Sequence, residues 1–251
     1  MADSTTGSAL FYVNPQPLTL TDHGSWRLID GNVAYAKDAL GVPLVIGEFS
    51  DAARFYPILF ASGTDGGPIV LTGIDGENVF VANDTWDAQT YIPAYLRRHP
   101  FIFISVSQED PQNFALGIDA GSGRFAKEGT EGIALFEGDQ PSQLTKDAMN
   151  FCSAYTGEAD VTRQFIAALR AKDLLVDRRL DFTLPGDRKF AVDGFQIIDA
   201  QKLTDLDAET VADWHRKGWL AASYAHLQSL NRVNELLDRR ARRLAAATPA
   251  A

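Results

Sequence analysis

The densest run of chemistry-bearing side chains is Trp86-Asp87-Ala-Gln-Thr-Tyr91-Ile-Pro-Ala-Tyr95-Leu-Arg97-Arg98-His99-Pro100-Phe101. A guanidinium flanked by Tyr91 and Tyr95 can clamp a carboxylate or stack on a planar ligand. Adjacent arginines point to different faces of a short helix, so at most one of Arg97 and Arg98 faces a given pocket. The competing reading is architectural: a buried arginine pairs with an acid such as Glu48 or Asp87 and holds the helix to a sheet. Four histidines, His23, His99, His215 and His226, bound the metal chemistry. A non-haem iron triad needs two imidazoles and a carboxylate. No His-x-Asp/Glu pair supplies it locally, so His23, His226 and Glu48 would have to converge from distant segments. Phosphate loops, dinucleotide fingerprints, nucleophile elbows and His-Glu-x-x-His are all missing. Cys152 lies on the apolar face of its helix, which predicts a buried, inert thiol.

The chain has 251 residues, 45% of them hydrophobic, and carries a net charge of −10 from 23 basic and 33 acidic residues. That composition excludes disorder and collagen, and a single cysteine excludes a disulfide-stapled scaffold. The acidic balance argues against a protein that coats nucleic acid. The start carries Asp3 and no basic segment, with only Leu10 to Val13 as an apolar run, so no signal peptide is expected. Pro57 to Ala61 and Phe101 to Val106 are far shorter than the roughly 20 residues a membrane span needs. A cytoplasmic protein with no membrane span is the expectation.

The elements that must position these residues follow from periodicity. Short strands are expected at 10–13, 26–29, 33–36, 43–46, 57–60, 69–72, 79–82, 101–107, 114–118 and 133–136, each rich in β-branched or aromatic side chains. Asp75-Gly76 is the strongest hairpin signal. The spacing is too tight for a helix between each pair of strands, which predicts a mostly antiparallel sheet. Two short helices, Glu48 to Arg54 and Tyr91 to His99, interrupt it. From Ser142 the period becomes helical; Gly157 is expected to end the first helix, with a second starting at Asp160. A hairpin around Pro185-Gly186, a helix over 207–217 and a long helix from Trp219 to Leu244 complete the chain. The fold class is α+β: a β-rich body with a helical C-terminal portion packed on it. It forms one domain over 10–246, β-rich to residue 140 and mostly helical from 141, between a disordered tail at 1–9 and a frayed one at 247–251.

The last helix supports a second reading. Leu220, Leu227, Leu230, Leu237 and Leu244 fall on seven-residue seams with Asn234 at another seam position, a stripe that can zip against a partner helix. Packing on the protein's own body explains the same stripe. The cations Arg239, Arg240, Arg242 and Arg243 suit the helix C-terminus and can also meet an acidic partner.

An ordered series of motifs resembles the SapC family: Phe11-Tyr-x-x-Pro15-x-Pro17-Leu with His23 close behind, Val42-Pro-Leu-Val with Glu48-Phe49, Tyr56-Pro57-Ile, and Gly76-Glu-Asn78-Val-Phe. It continues with Trp86, Tyr91-Ile-Pro-Ala-Tyr95, Arg97-Arg98-x-Pro100-Phe101, Leu135-Phe136, Gly194-Phe195, and Gly218-x-Leu220 with Tyr224-Ala-His226-Leu-x-Ser229-Leu. The resemblance covers roughly residues 10 to 237. One departure is His99, where the family more often carries Tyr. The family is named from surface-layer gene clusters and brings no catalytic residues to carry over. Its members are often encoded beside TonB-dependent receptors, flavin-dependent halogenase-like enzymes and cupin-like hydroxylases. That neighbourhood implies an accessory to the uptake, sensing or modification of a small molecule or peptide.

The leading expectation is therefore a non-catalytic binding or accessory protein, with Tyr91, Tyr95, Arg97, Arg98, Glu48, His23 and His226 as ligand-binding residues. No catalytic residue, metal ligand or cofactor is assigned. The alternatives are a metal-dependent oxygenase or hydrolase acting on a peptide or amino acid, and a protein that acts through its C-terminal helix.

Overall fold

The computed structural model describes residues 9–63, 66–106, 113–184 and 187–247. Almost all of the two expected tails, and the Pro185-Gly186 turn, lie outside them. The chain divides into two compact units, Met1–Tyr35 with Arg97–Thr156, and Ala36–Leu96 with Gly157–Ala251. All strand pairings among the described residues are antiparallel, and the helices concentrate in the second half of the chain, so the fold is α+β as the turn spacing predicts.

The first unit holds two three-stranded sheets. One runs in the order Pro15–Pro17, Phe114–Asp119, Phe101–Ser105; the other in the order Phe125–Ala126, Arg27–Leu28, Ile133–Ala134. Their inner faces close on Phe101, Leu116, Ile118 and Leu135, with Cys152 brought in from the helix that follows. Burial pushes the Cys152 thiol up to about 11, in keeping with an inert group. The expected strand at 10–13 is a turn instead. Phe11 takes a positive φ of 74°, and the Asp119 carboxylate accepts the Val13 and Asn14 N–H groups at 3.0 and 2.7 Å. A side-chain acceptor thus replaces the neighbouring strand that these amides would otherwise need.

The helix Gln143–Ala171 passes through Gly157 without a break. A glycine costs a helix interior only about 1 kcal/mol. Apolar anchors on both sides of it, Cys152 before and Phe165, Ile166 and Leu169 after, outweigh that cost.

The second unit is built on a five-stranded sheet in the order Leu175–Leu184, Arg188–Ile198, Ile58–Ala61, Pro68–Leu71, Gly41–Pro43. The helix Trp219–Ser229 lies on its central strands: His226 accepts the Ile198 N–H and Ser229 accepts the Ile58 N–H. Phe49, Phe60, Phe165, Trp214 and Trp219 form the aromatic core, with ring centroids 5.8 to 6.4 Å apart. The predicted long C-terminal helix is split into Trp219–Ser229, a 3-10 turn Leu230–Arg232, and Val233–Ala247. Ser229 explains the interruption. Its hydroxyl donates to the His226 carbonyl at 2.6 Å while accepting the Ile58 amide at 2.9 Å, which competes with the helical ladder. The leucine seam straddles that turn and its leucines are half-buried, whereas the buried face carries Trp219, Ala222, Ser223 and His226.

The Asp75-Gly76 hairpin forms as its sequence demands. Gly73 pairs with Asn78 and Ile74 with Glu77, around two residues with φ of 58° and 75°. Positive φ at both central positions is the type I′ signature. A Cβ added at Gly73 would sit 2.1 Å from the Glu77 carbonyl oxygen, a backbone atom that cannot swing aside. Gly73→Ala is expected to destabilise the protein by about 2 kcal/mol, read as a lowered urea midpoint at unchanged slope.

Candidate functional site

In the second unit, Glu48 ends the 3-10 turn Ile46–Glu48 and opens the helix Phe49–Ala52. The turn is fixed from the long helix, where Thr162 accepts the Ile46 N–H at 2.9 Å and Glu158 accepts the Gly47 N–H at 3.2 Å. Glu48 is 6% exposed. One of its carboxylate oxygens accepts the Tyr91 hydroxyl at 2.7 Å and the Ala94 N–H at 2.6 Å; the other accepts the Val45 N–H at 3.1 Å. The structure therefore brings Glu48 and Tyr91 together. The Tyr56 hydroxyl donates to the Tyr91 carbonyl and receives the Trp86 indole N–H at 3.2 Å, and burial pushes this phenol up to about 12. Tyr95 is buried on the helical turn Ala94–Arg97.

His226 is fully buried against the Phe60 ring, 5.0 Å between centroids. Its Nε2 accepts the Ile198 N–H at 3.0 Å, which assigns the proton of the neutral ring to Nδ1. Burial pulls its pKa down to about 4, against a smaller opposing effect of the Ile58 backbone. The imidazole is thus a neutral brace between helix and sheet at physiological pH.

In the first unit, His23 is buried, its ring edge-on to Trp26 at 4.6 Å and its Nδ1 accepting the Thr19 N–H at 3.1 Å. Arg97 lies over the Phe151 ring at 5.3 Å, and Arg98 over the rings of Tyr12 and Tyr155 at 5.6 and 4.5 Å. Arg98 joins a cluster that the sequence pattern does not reveal. His99 packs on Tyr35 at 4.2 Å and Tyr12 at 5.2 Å, with its Nε2 3.5 Å from the fully buried Asp119. Burial lowers the His99 pKa, and Asp119 opposes that shift. The sequence signals this cluster only through His99, which lies in the run from Trp86 to Phe101.

A second feature that the sequence hides is a hollow of about 460 Å³ in the second unit, walled by Phe80, Trp86 and Asp87 on one side and by Arg239, Arg242 and Arg243 on the other. The acidic hairpin holds the arginine-bearing helix Val233–Ala247 in place. Arg240 pairs with Asp75 at 3.0 Å and with Glu77, while Arg243 pairs with Glu77 at 2.7 Å and donates to the Val79 and Val81 carbonyls, both at 2.8 Å. Arg239 pairs with Asp87 at 2.8 Å and lies over the Phe80 ring at 4.7 Å. Much of the acidic surface that the terminal arginine cluster calls for is supplied by this same chain.

Among the described residues, no three His, Cys, Asp or Glu side chains gather into a group able to hold a metal ion. No described helix is long and apolar enough to cross a membrane.

These features define an α+β protein whose buried polar groups brace its backbone and whose second unit carries an open, arginine-walled hollow. The SapC family model matches residues 18–236, and the chain belongs to that family. No curated protein and no solved structure matches it.

Proposed function

We propose that the protein is a soluble, cytoplasmic, non-catalytic binding or accessory protein that serves the uptake, sensing or modification of a small molecule or peptide. One observation carries this reading. Two groups suited to acid–base work, Glu48 and His226, are engaged in holding the fold: Glu48 accepts three hydrogen bonds from the protein, and His226 is neutral and bonded to a strand amide. A general base needs a free lone pair within reach of a substrate proton. In this reading Glu48, Tyr91, Tyr95 and His226 in one unit, and His23, Arg97 and Arg98 in the other, shape the binding surfaces.

A thermal-shift screen of the full chain against aromatic amino acids, short peptides and flavins tests it. A ligand present at 100 times its Kd stabilises the folded state by about 2.7 kcal/mol, which raises the melting midpoint by several degrees. At least one of these classes is expected to raise it. A flat response to all three would count decisively against a binding role.

A further inference from the structure

We infer that the hollow between Phe80, Trp86 and the last helix binds an organic anion, a carboxylate or phosphate on an apolar body, with Arg242 as the anion's principal partner. The inference rests on the binding reading above and adds the place and the ligand chemistry. On a helix, positions 239, 242 and 243 share one face, so three guanidinium groups crowd the same wall. Like charges at this spacing destabilise each other unless neutralised. Asp87 and Glu77 answer two of the three, through Arg239 and Arg243. Arg242 has no acidic partner among the described residues. Its described hydrogen bond is from Nε to the Asp238 carbonyl at 3.3 Å, which leaves its two terminal amino groups without a described acceptor on an exposed residue that lines the hollow. A guanidinium presented that way receives a carboxylate or a phosphate through two parallel hydrogen bonds.

The remaining wall selects the rest of the ligand. Val79, Phe80, Ala82 and Ala88 contribute apolar surface, and Asp87, already paired to Arg239, is the only carboxylate among the described lining residues. The volume of about 460 Å³ falls within the range of small-molecule sites. Ala82 and Ala88 are exposed small residues on this wall, where larger side chains would fill the space. With Asp87 and Glu77 offsetting two of the three guanidinium groups, Arg242 is the uncompensated positive charge on this wall, in a chain that carries −10 overall.

Calorimetric titration of the full chain with 2-naphthoate, 2-naphthyl phosphate and the uncharged 2-naphthamide tests the assignment. At least one anion is expected to bind about 10-fold or more tighter than the amide, and which anion does so separates carboxylate from phosphate recognition. Arg242→Gln is expected to weaken that anion about 10-fold and to leave the amide unchanged. Ala88→Trp, which fills the hollow and alters no charge, is expected to abolish binding of anion and amide alike. Both positions are exposed, and an unchanged melting midpoint confirms that each variant folds. Two results would overturn the assignment. Failure of both anions to outbind the amide removes the anion chemistry, whatever the broader screen finds. Tight anion binding that neither variant disturbs places the site elsewhere and leaves the binding role standing.

Discussion

Glu48→Ala is expected to lower the stability of the protein by about 3–4 kcal/mol, a loss that few single substitutions reach. Its carboxylate is the acceptor for two backbone amides, Val45 and Ala94, and for the Tyr91 hydroxyl, all in buried or half-buried surroundings. The hydroxyl can turn toward water when the carboxylate is gone, but the amides cannot. Buried donors left without an acceptor cost about 1–3 kcal/mol each. Tyr91→Phe removes one donor and leaves the carboxylate satisfied by two others, so it is expected to cost only about 1 kcal/mol. In a domain of this size the alanine variant should melt roughly 6–15 °C lower. A calorimetric midpoint within about 2 °C of the unmodified protein, equivalent to less than about 1 kcal/mol, would show that Glu48 is not a brace.

The second large effect is a pH dependence. The His226 pKa falls from 6.5 in the unfolded chain to about 4 in the folded protein, because burial disfavours the charged ring. Above pH 6.5 both states hold the ring neutral, and its full contribution is present. As pH falls from 6.5 towards 4 the unfolded state takes up a proton that the folded state refuses, and stability drains away by about 3 kcal/mol. Below about 4 both states are protonated and no more is lost. His226→Gln retains a side-chain oxygen able to accept the Ile198 amide and does not titrate over this range. Its urea midpoint is expected to decline less steeply than that of the unmodified protein between about pH 7 and 4. Parallel curves for the two proteins would refute the assignment of His226 as a neutral brace.

Parts of this architecture are legible from local pattern alone. Ile58–Ala61, Pro68–Leu71, Phe101–Ser105 and Phe114–Asp119 are short runs of β-branched and aromatic residues, and each forms a strand within a residue or two of its predicted limits. Asp75-Gly76 encodes its turn in two residues. Pattern fails where a neighbour in space decides the outcome. The hairpin around Pro185-Gly186 is read from Phe182, but the strand Leu175–Leu184 begins earlier, with Asp177, Arg178, Arg179 and Asp181 too charged to read as a strand; it lies on the sheet edge, where charge is tolerated and guards against mispairing. The helix break at Ser229 depends on the Ile58 amide, 171 residues away in sequence. The same limit governs the candidate sites. The run from Trp86 to Phe101 stands out by composition, and Glu48 is expected as an acid for a buried arginine, whereas the structure also gives it the Tyr91 hydroxyl. The partners of Arg239, Arg240 and Arg243 lie more than 150 residues upstream, and no periodicity links them.

The ionic stitching between the hairpin and the last helix bears on how the chain is made. Asp75 and Glu77 leave the ribosome long before Arg240 and Arg243, and the hairpin is short enough to form within microseconds of its synthesis. Until that helix is made, Asp75 has Arg188 as its described counter-charge and Glu77 has none among the described residues. The nascent hairpin therefore carries Glu77 as an open negative charge that basic surfaces nearby can engage, until the helix Val233–Ala247 brings Arg240 and Arg243 to it. Low ionic strength should hasten the docking of that helix, and a chain that stops before Arg240 should linger as an open, aggregation-prone form.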